Sequence, residues 1–263
     1  LQKRIQSAIM LHFNYHFREV FTLSIPMGKI QEMKFYSQSL QEELTLLIYL
    51  PANYSPLFKY ALCITNDGKD YFQMGRIGRV ADRLLHENKM EDTIFVGIPY
   101  NNVDDRREKY HPNGSQQSAY IRFLAHELVP FLDEQFPTYG VGHGRALMGD
   151  SLAATVSLMT TLQYPNTFGR VIMHSPYVDD KVLAAVEAFT EAQLVHLYHV
   201  IGTKEDVVRM TDGKVGNFLE PNRELNKLLI SKKFPYFYEE FEGDHTWKYW
   251  QKDVWRAIEM MFE

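Results

Sequence analysis

A serine in the middle of the chain stands in a setting that favours nucleophilic chemistry. Ser151 belongs to the segment GDSLA (149–153), which follows a short apolar run at 146–148 and precedes a helical pattern. This order of strand, turn and helix is the context of the G-x-S-x-G elbow, in which a tight turn holds a serine nucleophile in a strained conformation. The second small residue of the elbow is Ala153 instead of glycine. The motif predicts a nucleophile at Ser151; the alternative is a serine that only caps the following helix.

Acidic residues and a histidine follow Ser151 in the order that a catalytic triad on an α/β sheet requires. One later predicted strand ends just before Glu205 and Asp206, and another ends just before His245, which lies in a Gly-Asp-His turn. Open α/β sheets bind their ligands at the carboxyl ends of their strands. We therefore predict that His245 accepts the proton of Ser151 and that Glu205 or Asp206 orients the imidazole. The alternative for His245 is an ordinary histidine in a surface turn.

The tetrahedral intermediate of such a reaction needs two backbone N–H groups to stabilise its negative oxygen. Leu152, the residue after the nucleophile, is predicted to supply one of them. The other is predicted in the loop NDGKD (66–70), where Gly68 allows the backbone to approach a substrate closely. The alternative for Gly68 is an ordinary Asp-Gly turn.

A substrate-binding wall is expected near these turns. Residues 100–116 are predicted to form a polar loop, and loops of this length in compact domains are often functional, although charged runs such as 104–107 are usually solvated. The candidates for aromatic contacts with a substrate are Tyr110, Tyr177, Trp247, Tyr249 and Trp250, with Tyr110 and Trp247 preferred, whereas most aromatic side chains belong to a core. No Cys/His cluster, paired-carboxylate spacing or phosphate-binding glycine loop predicts a metal or another cofactor.

Strands and helices alternate from Ile30 onward, which predicts an α/β fold with a mostly parallel central sheet and helices on both faces. The first two strands are expected to pair antiparallel through a tight turn. Strands are predicted at 31–37, 44–50, 60–65, 93–98, 145–148, 170–174, 195–201 and 236–242, and helices at 75–88, 118–136, 152–163, 181–193, 222–232 and 247–262. A single domain is predicted over 28–263, with 1–27 as an N-terminal extension of uncertain status.

Composition excludes several classes of function. The chain has 263 residues, 45% of them hydrophobic and 23% charged, and a net charge of -5 without a basic stripe, so a nucleic-acid partner is not expected. No apolar stretch is long enough to predict a membrane span. The single cysteine, Cys63, is expected in a buried strand and is compatible with a reducing compartment. Residues 1–27 lack a clear signal-peptide pattern, so a cytoplasmic location is expected. No heptad pattern or interface stripe predicts an oligomeric state.

With these motifs in view, the chain resembles the putative esterase family of α/β-hydrolases, which includes esterase D (S-formylglutathione hydrolase), feruloyl esterases, enterochelin-type siderophore esterases and mycolyltransferases. The resemblance runs from Ile30 to the C-terminus and rests on the elbow, the Asp67-Gly68 loop, GTKE (202–205) and GDHTWKYW (243–250). REKY (107–110), ELVP (127–130) and HSP (174–176) support it. The family commonly places its acid three residues after the glycine that ends the strand, which is the position of Glu205.

The resemblance implies a small-molecule ester substrate and hydrolysis of carboxyl esters, thioesters or siderophore lactones through an acyl-enzyme, without a metal. Alternatives on the same fold are an acyltransferase with the same triad and a non-catalytic binding protein. The string GDSL (149–152) is also the signature of a separate hydrolase family. In that family the motif lies near the N-terminus and the histidine lies three residues after its aspartate, whereas here Asp244 directly precedes His245, so we reject that assignment.

Overall fold

The computed structural model describes residues 24–263. The predicted extension at 1–27 therefore falls almost wholly outside the described residues. The strands are β1 Lys29–Ser37, β2 Glu42–Leu50, β3 Ala61–Asn66, β4 Thr93–Ile98, β5 Arg145–Asp150, β6 Arg170–His174, β7 His196–Gly202, β8 Val208–Arg209, β9 Val215–Gly216 and β10 Tyr236–Phe241. The helices are α1 Gly68–Gln73, α2 Ile77–His86, α3 Val103–Tyr110, α4 Gln117–Phe123, α5 Val129–Gln135, α6 Leu152–Gln163, α7 Asp180–Ala188, α8 Leu219–Ser231 and α9 Trp247–Phe262.

An eight-stranded sheet in the order β1-β2-β4-β3-β5-β6-β7-β10 organises the chain. The pairs β1–β2 and β2–β4 are antiparallel, and the other pairs run parallel. The predicted α/β-hydrolase fold, with its mostly parallel sheet and antiparallel entry, is thus confirmed. Strands β5, β6, β7 and β10 lie side by side, so the residues that follow them meet along one edge of the sheet.

Both faces of the sheet are covered by helices. Successive residues of a strand point to opposite faces. Leu62 and Ile64 of β3 accordingly pack with α4 and α6 in one buried cluster, whereas Cys63 packs with α2 and α9 in another. Burial on both sides explains why the central strands are almost continuously apolar in sequence. The prediction of a buried strand cysteine is confirmed, and burial raises the pKa of the Cys63 thiol.

The predicted polar loop at 100–116 is wrong for residues 103–110, which form α3. Asn102 caps this helix, because its side-chain oxygen accepts a hydrogen bond from the N–H of Asp105 at 2.9 Å. Acidic residues in the first turn and basic residues in the last turn also suit the helix dipole. The helix was missed because it has almost no apolar periodicity, so only its caps and charges indicate it.

The predicted helix over 118–136 is divided by a π-helical turn, Leu124–Leu128, between α4 and α5. Pro130 lies at the start of α5, where its missing N–H removes one regular helical hydrogen bond. The irregular turn thus lies just before Pro130. The helix predicted at 181–193 also ends earlier, at Ala188.

A short hairpin that the sequence analysis did not predict leaves the sheet after β7. Its strands, β8 and β9, pair antiparallel through Val208–Gly216 and Arg209–Val215. The carbonyl oxygen of Glu205 accepts hydrogen bonds from the N–H groups of Phe218 (2.8 Å) and Leu219 (3.2 Å). Residues 206–217 are here called the 206–217 hairpin. The hairpin begins directly after Glu205, and the chain returns to the carbonyl group of Glu205 directly after the hairpin ends.

Across residues 24–263, no helix combines the length and the apolar character that a bilayer crossing needs.

Candidate active site

Ser151 lies on a sharp turn between β5 and α6. Its backbone angles are φ 52° and ψ -123°, a left-handed region that residues with a side chain seldom adopt. The N–H of Ser151 donates to the carbonyl oxygen of His174 on the neighbouring strand at 2.9 Å, which holds the turn. A Cβ atom on Gly149 would lie 2.3 Å from the backbone of Ala153, so this position requires glycine. Ala153 itself is fully buried, and the elbow accommodates its methyl group.

His245 forms a short hydrogen bond with Glu205. The distance from His245 Nδ1 to Glu205 Oε2 is 2.6 Å, and the Glu205 side chain is completely buried. Glu205 Oε1 accepts from the N–H of Gly202 at 2.8 Å and from the hydroxyl of Ser175 at 2.7 Å. A buried carboxylate is costly unless it is hydrogen-bonded, and here both oxygens have donors. Asp206, the alternative acid, is exposed and lies outside this arrangement.

Ser175 connects Glu205 to the last helix. Its hydroxyl accepts a hydrogen bond from Trp250 Nε1 at 3.0 Å while it donates to Glu205. The ring of Trp250 also meets the His245 ring edge-on at a centroid distance of 4.9 Å, and Phe218 lies 4.4 Å from the same imidazole. The imidazole is thus fixed by a carboxylate and by two aromatic rings. The sequence analysis assigned Ser175 no such role; the only signal was its position directly after β6.

Ser151 and His245 line a single cleft with a volume of about 420 Å³. Part of the lining comes from α3, from His111 just after it and from Tyr177 after β6, and another part comes from the 206–217 hairpin. The lining consists of Arg106, Arg107, His111, Ser151, Leu152, Tyr177, Val208, Arg209, Met210, Thr211, Asp212, Lys214, Phe218 and His245. Half of these residues come from the hairpin and Phe218, which the sequence analysis did not assign to the site.

Of the five aromatic candidates, Tyr177 lines the cleft, and the preferred pair, Tyr110 and Trp247, lies elsewhere. Tyr110 is buried in the core, with the Arg106 guanidinium 5.7 Å from its ring centroid. Trp247 packs against Tyr71 and Trp250, at centroid distances of 4.8 and 5.8 Å. Neither Tyr110 nor Trp247 lines the cleft. Their aromatic character gave no information on which side of each element faces the core, and the aromatic rings of the lining are Tyr177 and Phe218.

The two predicted oxyanion donors both begin helices. Leu152 is the first residue of α6 and lines the cleft, and Gly68 is the first residue of α1. N–H groups in the first turn of a helix have no regular partner inside the helix. Gly68 is buried outside the lining, and a Cβ atom there would lie 2.2 Å from the backbone nitrogen of Ile98. The glycine is therefore required for close packing of α1 on β4, and its role as a donor stays a prediction.

A buried arginine joins the start of α1 to the elbow. Arg106 Nε lies 2.8 Å from both carboxylate oxygens of Asp67, and its Nη2 donates to the carbonyl oxygen of Asp150 at 3.2 Å. Asp150 is buried, and its Oδ1 has no hydrogen-bond partner among the described residues. Burial and the nearby charge of Asp67 hold the pKa of Asp150 well above its usual range. Burial thus disfavours the ionised form of Asp150, whereas the carboxylate of Asp67 has Arg106 as a direct partner.

Three comparisons with known proteins agree with this architecture. The sequence profile described as "Putative esterase" matches residues 37–260. A Bacillus subtilis protein, described as uncharacterized protein YjcH, is 55% identical over 89% of this chain and 98% of its own length. The fold is similar to a ferulic acid esterase from Anaeromyces mucronatus (TM-score 0.71, 17% identity, 90% of this chain and 91% of that one). It is also similar to the enterobactin esterase from Shigella flexneri (TM-score 0.76, 17% identity, 90% and 61%). The match over most of the sequence shows that the chain belongs to the putative esterase family, a family of ester hydrolases.

Proposed function

We propose that the protein is a serine carboxylesterase that works through an acyl-enzyme intermediate. The observation that carries the proposal is the 2.6 Å contact between His245 and the buried carboxylate of Glu205, in the cleft that Ser151 also lines. An imidazole held by a carboxylate at Nδ1 presents Nε2 as a base, which is the arrangement that activates a serine hydroxyl. The strained conformation of Ser151 supports the same role, since such strain is concentrated at functional positions.

In the acylation half, Ser151 Oγ forms a bond to the ester carbonyl carbon while its proton passes to His245 Nε2. The N–H groups of Leu152 and Gly68 stabilise the negative oxygen of the tetrahedral intermediate. The bond between that carbon and the alcohol oxygen then breaks, and His245 returns the proton to the departing alcohol. The acyl group remains on Ser151 as an ester.

In the deacylation half, water gives a proton to His245 and its oxygen attacks the acyl carbon. The bond to Ser151 Oγ breaks, His245 protonates that oxygen, and the carboxylic acid leaves. Thioesters and lactones present the same carbonyl chemistry and fit the same sequence of steps. Throughout, Glu205 stabilises the imidazolium that forms twice in each cycle.

The test is intact-mass analysis after incubation with a fluorophosphonate, followed by assays with short-chain and aryl esters. We expect a single adduct on the wild type and none on Ser151→Ala, with circular dichroism unchanged. Ser118→Ala is the matched control, because Ser118 is an exposed serine on α4 outside the cleft lining. Labelling or ester hydrolysis that persists in Ser151→Ala would overturn the proposal.

A further inference from the structure

Cationic side chains are concentrated in the cleft, although the protein as a whole is negatively charged. Arg106, Arg107, Arg209 and Lys214 line it, against one lining carboxylate, Asp212, whereas the net charge of the chain is -5. A cleft lined by one sign of charge focuses the potential at its mouth and raises the local concentration of ligands of opposite charge.

Local partners neutralise only part of this charge. Arg106 forms an ion pair with Asp67. The single carboxylate of Asp212 is shared by Arg107 (3.1 Å) and Lys214 (3.6 Å). Arg209 has no carboxylate within 4.0 Å in the part of the chain that the structure describes. Two cations of the lining therefore share one anion, and Arg209 has no anionic partner among the described residues.

The other acidic residues near this cluster lie outside the cleft lining, and of these Asp206 is exposed on the hairpin. Glu205 is paired with His245, and Asp179 accepts hydrogen bonds from two backbone N–H groups at the start of α7. The imidazole of His111, also in the lining, has a pKa that burial and the adjacent Arg107 lower below its usual value. At neutral pH His111 thus adds a polar ring to the wall and no charge.

Apolar side chains also line the cleft that holds the proposed nucleophile. Val208, Met210, Tyr177 and Phe218 share the lining with the charged residues. A ligand that uses both kinds of surface has a hydrocarbon part and an ionised group. Guanidinium groups match carboxylates and phosphates because they offer two parallel N–H donors.

We propose that the preferred substrates are esters that carry an additional anionic group, a carboxylate or a phosphate, bound by Arg209 together with Arg107 and Lys214. The inference rests on the proposed function, because it concerns the specificity of the cleft that holds Ser151. The ionised group is bound between α3 and the 206–217 hairpin, while the ester carbonyl lies at the elbow.

The test compares pairs of esters that differ only in the anionic group. Mono-4-nitrophenyl adipate is paired with 4-nitrophenyl hexanoate, and 2-phosphoethyl acetate with 2-hydroxyethyl acetate, so the two pairs separate carboxylate from phosphate recognition. We expect kcat/KM to favour the anionic member of one or both pairs by about ten-fold, which corresponds to roughly 1.4 kcal/mol. The preference should fall as salt is added, because the cleft is open to solvent.

Two variants change the charge in opposite directions. Arg209→Gln should lower the preference about three- to ten-fold, whereas Asp212→Asn should increase it, since it releases Arg107 and Lys214 from their shared partner. Lys252→Gln is the control: Lys252 is an exposed cation on α9 outside the lining, and its loss should leave the preference unchanged.

Calorimetric binding of monomethyl adipate and dimethyl adipate to Ser151→Ala separates this inference from the proposed function. Turnover that depends on Ser151 with equal rates within both pairs would overturn the inference and leave the esterase proposal standing. Selective binding of the monoanion without Ser151-dependent turnover would support the inference and overturn the esterase proposal. Equal binding of both adipates, together with equal rates within both pairs, would contradict the inference.

Discussion

Arg106 and Asp67, 39 residues apart in sequence, form an ion pair in which both carboxylate oxygens of Asp67 accept from the guanidinium group. The pair lies beside the elbow that carries Ser151. Asp67 has a left-handed backbone (φ 57°) and directly precedes α1, while Arg106 also donates to the carbonyl oxygen of Asp150. The pair therefore couples the proposed second oxyanion donor to the turn of the proposed nucleophile. Because Arg106 lies between two backbone segments, it acts as a positioning residue.

Arg106→Lys should lower kcat about 10- to 100-fold, because a lysine keeps the charge but cannot hold Asp67 and the Asp150 carbonyl with fixed geometry. KM for a neutral ester should change little, since the loss concerns alignment and not binding. Steady-state kinetics on a neutral aryl ester provide the test. A variant with an increased KM and an unchanged kcat would assign Arg106 to substrate binding instead.

Arg106→Gln should cost more stability than Arg106→Lys. It leaves the buried carboxylate of Asp67 without its cation, and breaking a buried ion pair in this way costs about 3–5 kcal/mol. Urea unfolding of both variants and the wild type measures the difference. Equal midpoints for the two variants would show that the charge of Asp67 has another partner in solution.

Glu205→Gln and Asp206→Asn form a matched pair of adjacent substitutions. Glu205→Gln should reduce kcat about 10²- to 10⁴-fold, because an amide cannot stabilise the imidazolium form of His245. Asp206→Asn should leave kcat within about two-fold of the wild type, because Asp206 is exposed and outside the contact with His245. Reversed effects would transfer the role of the acid to Asp206.

Ser175→Ala should lower kcat less than Glu205→Gln, by about ten-fold. It removes one of the two donors to Glu205 Oε1 and leaves the Trp250 indole N–H without an acceptor. Trp250→Phe is the companion variant, because it removes the indole N–H donor and keeps an aromatic ring beside His245. The pH dependence of kcat distinguishes the roles: a positioning role shifts the acidic limb of the profile, on which the catalytic base becomes protonated, whereas a purely structural one changes stability alone.

Asp150 should make the stability of the protein fall as pH rises. Its pKa is raised in the folded state, so between the ordinary value of about 3.9 and the raised value the folded chain binds more protons than the unfolded chain. The contribution of protonated Asp150 to the free energy of unfolding is then fully present below about pH 3.9 and is lost progressively as the pH rises to the raised pKa. Asp150→Asn, which resembles the protonated form, should flatten this dependence when the free energy of unfolding is measured from pH 4 to 8. An unchanged slope would show that Asp150 is ionised in the folded protein.

The sequence predicted those parts of the site that depend on local patterns. The predicted bounds of α6 and β6 are correct because apolar periodicity and the elbow motif mark them. Local patterns leave Glu205 and Asp206 open as the acid, and only the resemblance to the esterase family favours Glu205. The pairing of Arg106 with Asp67 depends on tertiary packing between distant segments and has no local signal. The two-residue strands β8 and β9 are too short to carry a period, so the wall that contains Arg209 and Lys214 was not predicted.

The 206–217 hairpin leaves and rejoins the chain at the carbonyl group of Glu205. The side chain of Glu205 binds His245 and its carbonyl group closes the base of the hairpin, so side chains within the hairpin can be exchanged without altering the hydrogen bonds of Glu205. Under the proposed function, substitutions in the hairpin change the wall of the cleft while Glu205 and His245 keep their contact. The 206–217 hairpin is therefore the segment to exchange when substrate specificity is to be transferred from one family member to another.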